Sequence, residues 1–430
     1  MTQSKAGTSL SRTTRTLSYC MTGLLAASAM AASAMAAGTH AVRCSMNDVS
    51  DAEARALQAR VLTIDSHIDI GDDYATWKLD PGGFTNAQND LPKMRAGGLD
   101  AAFLIVFTEQ GPLDEAGYRK ARATAEDKYQ AILRLTRAYP AQVGLATTPD
   151  EARALHAAGK RVVLLGMENA YPLGNSVAEV PLWAKRGIAY MSLTHLGNNQ
   201  FGGSSNPNPK LGDPAEDPGL TEAGKALVKA LNDNGIMVDV SHVGRRTMLE
   251  AARLSRTPVI ASHSSTKAVH DNPRNLDDEQ LDAIRDSGGV AQMVAYRDYV
   301  ADSDPAIRKG IGELVGKYLS KGWTSATPEE LAAFKAGVLD LRSKYPDISV
   351  ANYVDHIDYA VKRIGIDHVG IASDFDGGGG VKGWDDASQT ANVTRELMRR
   401  CYTEDQIRAL WGGNLLRVMG EVQAEAKARR

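Results

Sequence analysis

The chain has 430 residues, with 49 basic and 52 acidic side chains and a formal net charge of −3. That balance offers no basic surface for nucleic acid or for an anionic membrane. A hydrophobic content of 43% is that of a globular protein, and the length fits one α/β barrel or two smaller domains.

The first element in chain order is a secretory signal. Lys5, Arg12 and Arg15 make a basic start without acids, and Leu17 to Ala37 is apolar and small. Ala34-Met35-Ala36 forms a small-x-small cleavage site, with Ala29-Met30-Ala31 as an alternative. The run is too weakly hydrophobic for a membrane span. Residues 1–36 are therefore expected to be removed on export to the periplasm or the exterior. Residues 37–60 then form a lead-in, 61–420 one folded domain, and 421–430 a polar tail without a lipid-anchor signal. Cys44 and Cys401 remain after cleavage and could pair in an oxidising compartment.

Eight apolar, β-rich runs follow: 61–66, 99–107, 161–167, 188–194, 236–241, 258–262, 288–295 and 368–373. Most are continuous rather than alternating, as expected of parallel strands covered on both faces. Helical patterns separate them, at 116–139, from Thr221 to the stop at Gly235, at 244–254, 277–286 and 352–364. Eight βα units predict a (β/α)8 barrel of TIM type. An open doubly wound sheet is the competing topology, but no Gly-rich phosphate loop opens any helix. Two stretches break the rhythm. Residues 196–219 read as a long loop, and 301–350 as a charged helical insertion before the last strand.

The residues that close these strands share a chemistry. The first strand ends in His67 and Asp69, spaced two apart and so on one face of an extended chain. The third ends at Glu168, the fourth at His195, the fifth at His242, the sixth at His263 and the eighth at Asp374. In a barrel these positions lie on the C-terminal rim, where active sites are built. Imidazole and carboxylate suit zinc and related ions. His67, Asp69, His242 and His263 could supply two ligands to each of two metals, with Glu168 bridging. Two metals about 3.5–4 Å apart can share a hydroxide, whose pKa is lowered toward about 7. Asp374 is then placed to carry a proton to the leaving nitrogen, and His195 to donate to a developing oxyanion.

Arg274 lies in the loop after His263, stiffened by Pro273. It suits a substrate carboxylate, which a guanidinium binds with two hydrogen bonds; the competing partners are Asp277 and Asp278. His156, His270, His356 and His368 fall away from strand ends and read as surface or packing residues.

The stretches IDSHIDI, GMENAYPLG, YMSLTHLGNN, GLTEAGKALVKALNDNGIMVDVSH, PVIASHSSTKAV, NPRNLDDEQL, HVGIASDFDG and WGGNLLRVMG run from about residue 60 to about 420. In that order they resemble the membrane dipeptidase (renal dipeptidase) family of zinc peptidases, in its bacterial form. The resemblance implies a distorted amidohydrolase-type barrel and two zinc ions. One would be held by His67, Asp69 and Glu168, the other by Glu168, His242 and His263. It places His195 at the scissile carbonyl, Arg274 at the terminal carboxylate, and Asp374 at proton transfer or the free amino group. It implies a dipeptide substrate, with tolerance of a D-residue at the C-terminal position, and a homodimer as an expected assembly. Ile70-Gly71-Asp72-Asp73 departs from the family pattern after the first metal motif, so loop 71–90 and the insertion bear on substrate preference. Another amide, lactone or β-lactam hydrolase on the same dimetal barrel is the alternative, as is a catalytically silent binding barrel. The intact ligand set and Asp374 argue against silence.

Overall fold

The computed structural model describes residues 49–320 and 326–429. The expected signal peptide, most of the lead-in, and Cys44 of the Cys44–Cys401 pair lie outside the described residues. Among these residues no helix is long and apolar enough to cross a membrane.

Nine parallel strands form one sheet: β1 (Ile64–Ile68), β2 (Ala101–Phe107), β3 (Val143–Leu145), β4 (Arg161–Glu168), β5 (Ile188–Ser192), β6 (Met237–Asp239), β7 (Val259–Ser264), β8 (Val290–Val294) and β9 (Val369–Ala372). The path is β1-β2-β4-β5-β6-β7-β8-β9, and β3 pairs only with the first residues of β4. The ring closes between β9 and β1, where Asp374 N donates to His67 O at 3.1 Å and Asp69 N to Phe375 O at 2.9 Å. This is the eight-stranded barrel of the sequence reading rather than the open sheet. Val143–Leu145 is an added strand that sequence reasoning missed, since three residues containing Gly144 carry no periodic signal.

The continuous apolar runs arise because both faces of each strand are buried. Phe103, Ile105, Val162, Leu164 and Tyr190 share one cluster with Leu415, Leu416, Met419 and Val422 of the C-terminal helix. Leu104, Val106, Val163 and Leu165 join the other cluster with helical residues such as Leu135, Leu227 and Ile357. The segment set apart at 421–430 continues that helix, Asn414–Ala428, whose Val422 and Ala426 are buried. A helix at Asp51–Gln58, within the lead-in, starts on a capping box between Ser50 and Glu53. In the insertion, helices Pro305–Tyr318 and Pro328–Lys344 enclose a small core of Leu319, Phe334 and Val338.

His356, on helix Val350–Ile364, is fully buried. Its Nδ1 accepts from Thr266 N at 3.0 Å, and its Nε2 faces Val300 O at 2.8 Å. This fixes the start of the segment that leads to Arg274. The ring must stay neutral to accept from Thr266, and burial lowers its pKa to about 4. The unfolded chain takes up this proton near pH 6.5, the folded protein only near pH 4. Stability is therefore lost as pH falls through that window, by up to about 3 kcal/mol. Denaturant titrations at pH 7 and pH 4 should show the advantage of wild type over His356→Gln shrinking by that order. An equal gap at both pH values would show that the ring is not held neutral.

Candidate active site

The strands deliver their closing residues to one end of the barrel. Register shifts fall in β1 beside His67 and in β7 beside His263, and such irregularities re-aim side chains at barrel rims. His242 and Asp374 sit at φ +65° and +59°, a left-handed conformation that His and Asp tolerate better than most residues. It turns each out of its strand direction and over the rim.

The side chains meet around Glu168. Its Oε1 lies 2.9 Å from His242 Nε2, 3.3 Å from His263 Nε2 and 3.9 Å from His195 Nε2. Its Oε2 lies 3.6 Å from His67 Nε2, which is also 3.6 Å from Asp69 Oδ2. Among the described residues three groups have donor atoms close enough to share an ion: His67, Glu168 and His263; Glu168, His195 and His242; and His67, Asp69 and Asp374. The first two sets share Glu168 and the first and third share His67, so all seven side chains belong to one connected cluster. His67 Nε2 and Glu168 Oε1 are buried without a hydrogen-bond partner, which is what metal-facing atoms look like without their ion.

The electrostatics agree. Burial, aided by the charge of Arg274, holds His242 and His263 well below the usual histidine range, so both are in the neutral form that binds metal. Burial opposes ionisation of Glu168, but the four histidines around it outweigh burial and keep its carboxyl low. Burial raises Asp374 well above the carboxylate range, and Asp69 and Glu168 add to this. Burial lowers His195, leaving a neutral imidazole.

Tyr190, Ser262 and Asp239 stand behind the histidines, and none was singled out from the sequence. Tyr190 Oη donates to Ser66 O at 2.9 Å and lies 2.9 Å from His67 Nδ1. Its lone pair thus receives the Nδ1 proton, which leaves Nε2 on the Glu168 side; against burial, Glu168 and Asp69 raise this imidazole well above the usual histidine range. Gly166 leaves room for this tyrosine: a Cβ there would stand 2.3 Å from the ring. A Cβ on Gly377 would stand 2.2 Å from Asp69 Oδ2 and 2.5 Å from Asp374 Oδ1.

The long loop 196–219 acts as a buttress. Ser205 N donates to His242 O at 2.8 Å, and Asn199 Nδ2 to Asn169 Oδ1 at 3.0 Å, beside Glu168. Loop 71–90 is tied to the rim where Gln88 N and Asn89 N donate to the Asp376 carboxylate at 2.8 and 3.2 Å.

Arg274 is 3% exposed and sits behind His263. Its Nη1 donates to Ser264 Oγ at 2.9 Å and its Nη2 to His263 O at 2.8 Å, with the guanidinium 5.4 Å over Tyr299. It pairs with neither Asp277 nor Asp278; Asp277 pairs with Arg245 and Asp278 with Arg363. A cavity of about 330 Å³ opens over the cluster, walled by Ile70, Phe107, Leu196, Tyr296 and Tyr299. The remaining histidines lie elsewhere: His368 Nδ1 meets Gly289 O at 2.8 Å, and His156 lies 3.7 Å from Asp100.

Residues 51–430 match the family described as membrane dipeptidase, peptidase family M19. A dipeptidase of Aspergillus oryzae, aclJ, is 29% identical over 79% of this chain and 71% of its own. The probable dipeptidase PvdM of Pseudomonas aeruginosa superposes with a TM-score of 0.77 at 35% identity, covering 87% of this chain and 98% of that one. A metallopeptidase of Rhodobacter sphaeroides, solved with a phosphinate mimic of L-Ala-D-Ala, shares the fold at TM-score 0.67 and 22% identity, covering 84% and 99%.

Proposed function

The chain belongs to the membrane dipeptidase family, a family of metal-dependent hydrolases of peptide bonds, and from that premise we propose that it cleaves free dipeptides with two zinc ions, both of which Glu168 would help to hold. One observation carries the count. Asp65, Asp69, Glu168, Asp239 and Asp374 cluster at or just behind the rim, and Asp65 and Asp239 are fully buried. Among the described residues Asp65, Asp239 and Asp374 have no ion-pair partner, and the charges of His67 and Arg274 act on this cluster. Beside them, the donor atoms of His67, Asp69, Glu168, His195, His242, His263 and Asp374 fall into three overlapping groups, more than one four-coordinate ion can take.

His67, Asp69, Glu168, His242 and His263 would hold the ions. Bound there, they would supply Lewis acidity and a water ionised near neutral pH. The chain's own groups do the rest. His195, neutral and over Glu168, donates to the carbonyl oxygen as negative charge develops on it. Asp374 accepts a proton and returns it to the departing nitrogen. Arg274 reads the carboxylate one residue beyond the scissile bond. The mimic bound by the Rhodobacter relative supports an L,D-dipeptide among the substrates.

Metal analysis of purified protein should find about two zinc-like ions per chain. A panel of L,L- and L,D-dipeptides should be hydrolysed, and a chelator should abolish that activity. A folded, metal-free protein that still hydrolyses the panel would end this reading; no hydrolysis of any member would leave another amide or a lactone as substrate.

Export follows from the basic start and Ala-rich run of residues 5–37. The mass of the secreted protein should place its first residue near Ala37. A cytoplasmic product that retains Met1 would refute it.

A further inference from the structure

The two sets of metal-facing histidines are held by unlike outer partners. His67 rests on a neutral phenol. His263 rests on a hydroxyl that leads to a carboxylate: Ser262 Oγ lies 2.8 Å from His263 Nδ1 and 2.6 Å from Asp239 Oδ2. With Asp239 ionised, as its three donors favour, the directions of these bonds are fixed. Asp239 Oδ1 already accepts from Ser241 N at 3.0 Å and Ser262 N at 2.9 Å. These are backbone donors, so Oδ1 is an obligatory acceptor. Oδ2, as a carboxylate oxygen, takes the Ser262 hydroxyl proton. The Ser262 lone pair must then receive a proton from His263 Nδ1, and His263 Nε2 is left as a lone pair, 2.8 Å from His242 Nε2 and 3.3 Å from Glu168 Oε1. Asp239 is fully buried and has no ion-pair partner among the described residues, a costly placement that a purely structural strand residue would not need.

We propose that Asp239 and Ser262 are positioning residues that set the polarity of the hydrogen-bond chain and thereby make His263 a metal ligand. The inference rests on the two-metal reading above and assigns the chain to one ion, the one that His263 helps to hold. Tyr190 serves His67, and its hydroxyl also meets Ser262.

The polarity argument separates removal of the chain from its reversal. Ser262→Ala removes the relay, and His263 is free to adopt either tautomer. Asp239→Asn reverses it. The two backbone donors hold the new amide oxygen in the Oδ1 position, so its NH2 faces Ser262. The serine then accepts from the amide and gives its own proton to His263 Nδ1. That moves the imidazole proton to Nε2, the atom that must bind metal. The milder-looking, isosteric substitution is therefore the more damaging one.

The test is competitive zinc titration of the full-length mature protein against a chromophoric chelator, with folding checked by circular dichroism. Wild type should bind two equivalents. Ser262→Ala should weaken one equivalent by roughly 10–100-fold and leave the other unchanged. Asp239→Asn should weaken that same equivalent more than Ser262→Ala does. Tyr190→Phe should weaken the equivalent that Ser262→Ala affects less than Ser262→Ala does, since it leaves the bond from Ser262 to His263 in place. Two unaltered equivalents in both Asp239→Asn and Ser262→Ala would overturn the proposal. So would an Asp239→Asn effect smaller than that of Ser262→Ala, since a merely structural carboxylate gives that order. Fewer than two equivalents in wild type would instead remove the two-metal reading, and this assignment with it.

Discussion

Asp374→Asn is expected to lower kcat by roughly 10²–10⁴-fold with both metals still bound. The substitution keeps shape and removes the ability to accept a proton. The backbone that carries the residue is held on every side. Asp374 N donates to His67 O, and Gly377 N and Gly379 N donate to Asp374 O at 3.2 and 2.7 Å. The side chain is buried, and Gly377 gives it and Asp69 room to coexist. Burial and the neighbouring acids push its pKa up, toward the range in which a carboxyl can both take and return a proton. Two measurements decide the outcome: turnover and metal content. An unchanged kcat removes Asp374 from proton transfer. A lost metal makes it a ligand, a role compatible with its closeness to His67 and Asp69.

Arg274→Ala should lose about 30-fold to several thousand-fold in kcat/KM on a free dipeptide. That range corresponds to roughly 2–5 kcal/mol for truncating one side of a buried charged contact. A dipeptidase must tell two residues from a longer chain, and the telling feature is a carboxylate one residue past the cleaved bond. Arg274 is buried close to the metal-facing histidines, its charge acts on His195, His242 and His263, and no carboxylate of the described chain neutralises it. It also braces His263 O, so a fall in rate alone would not reveal its role. The deciding experiment is a cycle of two enzymes and two substrates, a dipeptide and its amide. Wild type should discriminate strongly against the amide, and the variant far less. If the amide suffers from the substitution as much as the acid does, Arg274 braces His263 and the carboxylate is read elsewhere.

Much of this protein is recorded locally in its sequence. Runs such as LIVF at 104–107 and VVLL at 162–165 are continuous because both strand faces are buried, and that burial is a property of parallel strands between two layers. Because every strand of such a barrel points the same way, a residue that ends a strand lands on one rim. Position along the chain thus sufficed to bring His67, Glu168, His195, His242, His263 and Asp374 together. Ser50 and Glu53, three apart, likewise carried a helix start that could have been read from spacing.

Tertiary structure decided what lies between strands. Tyr190 meets His67 across 123 residues, and Asp239 meets Ser262 across 23. Ser262 adjoins His263, yet along a strand neighbours point to opposite faces, so adjacency suggested no contact. The strand bulge at His263 brings the two together. The same holds for Gly166 and Gly377, whose missing side chains make space for residues on other strands, and for Arg274, whose sequence neighbours Asp277 and Asp278 turn away to other arginines. Local pattern records which side of a strand is buried; it carries no mark of which distant donor completes a histidine's second nitrogen. That pairing is fixed only when the barrel closes and each buried polar atom must find a partner within hydrogen-bond reach.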